Sequence, residues 1–273
     1  MKGMTLGQYY PADSVLHRMD PRIKILCTIA FIVASFLCVN FFAFILLVAS
    51  AVALIFLSRI PLKVVLRSVR PLIFIMAFTA VLNIFWVTDA GADPLFHWHF
   101  ITIYEKGLYH ALFILLRIVA MVIGTSLFLT YTTSPIALTD AIERLLYPLA
   151  KLHVPVHTFA MMMTIALRFI PTIVDETDKI MSAQKARGAD FTTGSLASRA
   201  KALIPVIVPL FASAFRRADE LATAMECRCY RGGTGRTRMK TIHMAKRDYV
   251  SFVMVALLIG GVILCNIFLP AAV

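Results

Sequence analysis

Acidic residues are scarce in this 273-residue chain: 15 Asp and Glu stand against 27 Lys and Arg, a net charge of +12. Charged residues of either sign make up only 15%, whereas 60% are hydrophobic and the mean hydropathy is +0.82. That balance excludes an ordinary soluble domain. A basic excess can mark nucleic-acid binding, but long apolar runs point instead to positive cytoplasmic loops of a membrane protein, so no nucleic acid is expected. Cysteine is sparse too. Cys27, Cys38 and Cys265 sit in apolar runs, and Cys227 and Cys229 flank a single Arg, which is neither a disulfide framework nor a zinc pair. No glycine is followed by lysine, so a Walker A loop is missing. No Ser lies in a nucleophile elbow, and His97, His99 and His110 are too loosely spaced for a metal site. These absences predict a chain that is not an enzyme, with no cofactor and no resident metal. Met1 to Lys24 lacks the apolar stretch of a cleavable signal.

What is present is apolar. Ile25 to Leu57 holds 33 residues without a charge. One strongly tilted helix is conceivable, but basic residues precede the run (Arg18, Arg22, Lys24) and follow it (Arg59, Lys63, Arg67, Arg70). Both flanks belong on the cytoplasmic side, so two short spans turning near Val39-Asn40 fit better. Pro71 to Thr88 gives a third span with Trp86 at its outer end. Asp89 to Lys106, with three acids against one Lys, reads as an outside loop. Leu108 to Thr130 returns inward and carries Arg117, an intramembrane cation that either serves function or caps a neighbouring helix or snorkels. Tyr249 to Val273 is the last span. Five crossings place the N-terminus inside and the C-terminus outside.

Between these runs lies a basic segment with two similar units. The first passes through Met161-Met162-Met163, an adaptable surface or plain packing, then Leu167-Arg168-Phe169-Ile170-Pro171, and ends at Ala186-Arg187-Gly188. The second starts near Ala202 and ends at Cys227-Arg228-Cys229-Tyr230-Arg231-Gly232-Gly233. Each predicts a helix of about 28–30 residues, apolar early and charged late, with Arg and Gly at its end. Their uncharged stretches of 16 residues (152–167) and 14 residues (202–215) suit half-buried segments better than full spans. Pro205 and Pro209 predict a kink in the second rod or a late start. A short amphipathic helix from Ser134 through Ala150 precedes the rods, and 190–195 is a turn-rich connection.

This ordered set resembles the transmembrane T component of energy-coupling factor (ECF) transporters, the EcfT/CbiQ-like family. The likeness rests on the paired tips, on Leu167-Arg168-Phe169-Ile170-Pro171, and on the opening stretch from Gly7-Gln8-Tyr9-Tyr10-Pro11 to Asp20-Pro21-Arg22. It covers essentially the whole chain. It implies an all-α membrane protein of about five transmembrane helices, with a cytoplasmic domain of two long crossed coupling helices and a short amphipathic helix. The expected division is 1–133 (about four spans), 134–247 (coupling domain) and 248–273 (C-terminal span).

By that resemblance the protein is a multi-pass component of a prokaryotic cell membrane. It couples two cytoplasmic ABC ATPase subunits, expected to be non-identical, to a separate substrate-binding membrane subunit importing vitamins or metal ions. Docking falls to Ala186, Arg187, Gly188, Cys227, Arg228 and Cys229, with Arg168 and Pro171 supporting the helices. The second tip departs from the family's small-Arg-small pattern by placing cysteines around its Arg. Read without the resemblance, each tip Arg simply caps its own helix. Two further readings are a self-contained secondary transporter with Arg117 lining its path and an intramembrane enzyme. Missing intramembrane acids and missing catalytic groups count against them.

Overall fold

The computed structural model describes residues 9–86, 96–98, 101–152, 154–232 and 244–268. Among these the chain is overwhelmingly helical. The helices are α1 (Pro21–Leu37), α2 (Phe41–Ser58), α3 (Leu62–Val69), α4 (Ile73–Trp86), α5 (Glu105–Thr125), α6 (Pro135–Leu146), α7 (Val156–Ala186), α8 (Leu196–Cys227) and α9 (Lys246–Phe268). Among the described residues six stretches are long and apolar enough to cross a membrane: Phe41–Ser58, Leu62–Phe85, Gly107–Thr130, Val156–Ala186, Ala197–Cys227 and Lys246–Phe268. The α7 and α8 stretches are the least apolar of the six. The chain is thus an all-α, multi-pass membrane protein.

The uncharged run folds as two helices that turn at Cys38–Asn40, as the charge pattern requires. The third span begins earlier than its apolar run: α3 passes through a 3₁₀ turn at Arg70–Leu72 into α4. The loop between α4 and α5 contains a feature that periodicity did not announce. Its strands β1 (Phe96–Trp98) and β2 (Ile101–Ile103) pair antiparallel, with Phe96 opposite Ile103. Asp89, Asp93 and His99 lie outside the described residues, as does the side chain of His97. Arg236, Arg238 and Lys240 of the basic tail are outside them as well.

The chain divides into two compact units, one of residues 1–138 with 241–273 and the other of 139–240. In the first, α9 packs against α1 and α2, and α5 against α1, α2, α3 and α4. Ile23, Cys27, Phe31, Ala34 and Cys38 recur at helical spacing and turn one face of α1 to the core. Phe44 and Leu47 of α2, Phe113 and Ala120 of α5 and Val262 of α9 complete it. Gly124 is required here, because a Cβ at that position would run into the Phe31 ring. Its bare backbone lets α5 close on α1.

Polar side chains fix the ends of this unit. Asp20 is only 4% exposed and caps α1 by accepting from the Arg22 amide at 2.9 Å, with Pro21 at the first helical position. Arg22 closes a 2.6 Å ion pair on the same carboxylate, and the buried Asp248 of α9 accepts from the Asp20 amide at 2.9 Å. Lys24, also buried, donates to the Thr132 carbonyl at 2.8 Å, the Thr133 hydroxyl at 3.3 Å and the His17 carbonyl at 3.4 Å. At the other end Asn40 donates to the Cys265 carbonyl at 3.0 Å, and Asn266 donates to that of Leu37.

The second unit is built on α7 and α8, which pack against each other. Ser195 caps α8 by accepting from the Ser198 amide, so the helix starts at Leu196, six residues before Ala202, and runs through both Pro205 and Pro209. Of the kink or late start expected from those prolines, the late start does not occur. Their missing N–H groups fall inside a 32-residue helix that other contacts sustain.

Candidate functional site

The two tips close by the same backbone device. At the end of α7 the Gly188 amide donates to the Lys185 carbonyl and the Ala189 amide to that of Gln184, both at 3.0 Å. Gly188 has φ +86°. This is a Schellman closure with glycine in the left-handed position. At the end of α8 the Cys229 amide donates to Glu226 at 2.8 Å and the Tyr230 amide to Met225 at 3.0 Å. Here the left-handed residue is Cys229, with φ 54°. The helix therefore closes with Arg228 as its cap and Cys229 in the left-handed position, and not at Gly232, which takes φ +85° three residues further on. The sequence pattern predicts closure by Arg followed by Gly at both tips. The hydrogen bonds correct this for the second, which closes at the Cys227-Arg228-Cys229 tip that the family resemblance implies.

Arg187 and Arg228 are the residues at which each helix ends, and their flanking residues Ala186, Gly188, Cys227 and Cys229 are all exposed. Neither guanidinium bonds to a described side chain, so the cations are free to meet another molecule. Their backbone amides do close the last turn: Arg187 onto Ala183 and Gln184, Arg228 onto Met225.

The rods supporting these tips run antiparallel. Arg217 of α8 pairs with Glu176 of α7 at 2.8 Å, while Gln184 donates to the Pro205 carbonyl at 3.3 Å. Later residues of one helix thus face earlier residues of the other. The tips fall at opposite ends of the pair, separated by roughly 40 Å of helix at 1.5 Å per residue. The Glu176–Arg217 contact lies beside Phe169, Ile173 and Leu210, with buried Ser213 also facing the carboxylate. The sequence reading missed this pair, because an (i, i+41) relation leaves no periodic signal. It also missed the 3.0 Å contact of His157 Nδ1 with Glu143, which ties the start of α7 to α6.

Arg168 and Pro171 are exposed on α7, and Pro171 lies inside the helix without breaking it. The connection between the rods is held by Asp190, whose carboxylate accepts from the amides and hydroxyls of Thr192 and Thr193. Those donors, the Thr193 hydroxyl first, keep its carboxyl well below the usual range.

Arg117 is far from this site in sequence and sits in the first unit. Its guanidinium donates to the Cys38 carbonyl, the C-cap of α1, and lies 4.7 Å from the Phe113 ring centroid. Phe113 in turn stacks on Phe44 of α2 at 4.6 Å. The side chain caps a helix end and braces three helices, one of the roles open to it from sequence.

A family model described as CbiQ, cobalt transport protein, matches residues 12–241. The energy-coupling factor transporter transmembrane protein EcfT of Clostridium kluyveri is 51% identical over 267 residues, covering 98% of this chain and 98% of that protein. The protein of the same name from Thermosediminibacter oceani is 51% identical over 267 residues, with 97% and 98% covered. That of Bacillus subtilis is 45% identical over 262 residues, with 95% and 98% covered.

Proposed function

The chain belongs to the CbiQ/EcfT family of ECF transporter transmembrane components, and from that premise we propose that it is the coupling subunit between cytoplasmic ATPases and a substrate-binding membrane subunit. Residues 134–247 are the cytoplasmic coupling domain on this reading, and the N-terminus lies on the same side. One observation carries it: two exposed arginines, without a side-chain partner among the described residues, stand on identically closed helix ends at opposite ends of one antiparallel pair. A planar guanidinium with five donors suits a groove of carboxylates and carbonyls. Tips so far apart suit two separate partners better than one.

Each ATPase receives one tip. When ATP binding closes the ATPases, the tips are displaced relative to each other and α7 moves against α8 about the contact at Glu176, Ser213 and Arg217. The substrate-binding subunit is thereby tilted and its vitamin or metal ion released inside. Specificity resides in that subunit, and this chain performs no hydrolysis.

Co-purification tests the assignment. The tagged chain should bring down ABC ATPase subunits and show no transport alone. Arg187→Glu should lower ATPase retention while membrane insertion is unchanged, since close charge pairs across interfaces couple by about 1.5–7 kcal/mol. Loss of the variant from the membrane would assign Arg187 to helix capping instead.

A further inference from the structure

The membrane unit has a cavity that ATPase coupling does not use. It lies where the N-terminal arm, the end of α2 and the start of α9 meet, with a volume of about 550 Å³. Three arginines line it, Arg18, Arg59 and Arg247, against one acid, Asp13. Arg18 is already committed, because its guanidinium grips both oxygens of Asp13. Arg59 and Arg247 are exposed and make no ion pair among the described residues. The cavity therefore keeps two positive charges outside any ion pair among the described residues, with Asp13 feeling Arg59 only at a distance.

Two features beyond charge point to the occupant. Arg59 ends α2 with φ 55°, a left-handed conformation that glycine or asparagine usually fills. Backbone held in a sparsely populated region is a reason to look for function. Beside it the wall is apolar and open: Phe56 is 77% exposed and Leu57 is 42% exposed. These are the last residues of the 33-residue uncharged run, so the cavity sits at the depth where acyl chains give way to headgroups. A soluble anion would account for the arginines but not for a bare Phe beside them.

We propose that this cavity binds the phosphate of an anionic membrane phospholipid, Arg59 and Arg247 holding the phosphate while Phe56 and Leu57 lie along the first acyl methylenes. Basic pockets between transmembrane helices are suited to such headgroups. The proposal requires only that the chain spans the bilayer and stands apart from ATPase docking.

Native mass spectrometry of the full chain released from detergent tests it, with phosphatidylglycerol and phosphatidylcholine added in turn. Phosphatidylglycerol should remain bound where phosphatidylcholine does not. The pair Arg59→Asn with Arg247→Gln should reduce that retention about 25-fold, near fivefold per arginine. Asn is chosen at 59 because it tolerates the left-handed backbone. Asp13→Asn should strengthen retention by removing the competing acid. Lys63→Gln with Arg67→Gln, outside the cavity, should leave it unchanged, and gel filtration checks that every variant is folded. Equal loss in the Lys63/Arg67 pair would overturn the site in favour of diffuse charge. Displacement of the lipid by inorganic phosphate or ATP would overturn the lipid as occupant and assign a soluble one.

Discussion

At the scale of single residues, Cys229 tells most. It occupies the position that Gly188 fills at the other tip, and a side chain in the left-handed region costs about 1 kcal/mol. Cys229→Gly should therefore slow exchange of the Tyr230 amide, which closes the helix, by about fivefold, measured by hydrogen exchange. Unchanged exchange would mean the closure is held by something other than backbone preference. The thiols give an independent check: Cys227 and Cys229 are exposed while Cys27 and Cys38 are buried, so a maleimide on the folded chain should modify the tip pair first. His17 supplies a pH dependence. Its Nδ1 lies 2.7 Å from the Ser14 hydroxyl and its Nε2 is 2.9 Å from the Tyr10 carbonyl, and burial lowers its pKa from 6.5. A lowered pKa means the unfolded arm takes a proton more readily than the folded one. The arm should hold fully above pH ~6.5 and loosen as the pH falls below that value, which limited proteolysis near residues 10–17 will report.

At the scale of elements, Arg117 links three helices and Arg217 joins two. Replacing Arg117 by Met leaves the Cys38 carbonyl without its donor and removes the charge over Phe113. An orphaned buried acceptor costs about 1–3 kcal/mol, so thermal unfolding in detergent should fall by several degrees while ATPase retention is kept. Retained stability with lost transport would instead favour a path-lining role. Why some of this was legible follows from period and charge. The turn at Cys38–Asn40 was readable because basic residues flank both ends of one apolar run. The tips were readable because helix closure demands a left-handed residue, and an Arg-Gly pair advertises it. Cys229 hid the second closure, since nothing in a cysteine signals a positive φ. The Asp20–Asp248, Lys24–Thr132 and Glu176–Arg217 contacts were not readable at all. Each joins residues 41 to 228 positions apart, and only the fold brings them together.

At the scale of the molecule, the tips are equal in backbone and unequal in side chain, and that contrast sets the partner question. Both helices close by the same two hydrogen bonds, so the backbone presents each Arg alike. Around Arg187 stand Ala186 and Gly188, and a Cβ on Gly188 would meet nothing within 4 Å. Around Arg228 stand two exposed thiols. A groove shaped for bare glycine has no room for the added volume, and a groove lined for thiols loses contact with the smaller tip. The expected partners are therefore two different ATPases, each preferring one tip. Exchanging Ala186-Arg187-Gly188 with Cys227-Arg228-Cys229 should weaken assembly more than Cys227→Ala or Cys229→Ala alone, read as ATPase retained per tagged chain. Because the Cys-to-Gly exchange also relieves backbone strain on α8, loss of assembly in the exchanged chain cannot be put down to a weaker helix end there. A single ATPase species in the native complex, or an exchanged chain that assembles normally, would refute the asymmetry and leave the two arginines interchangeable.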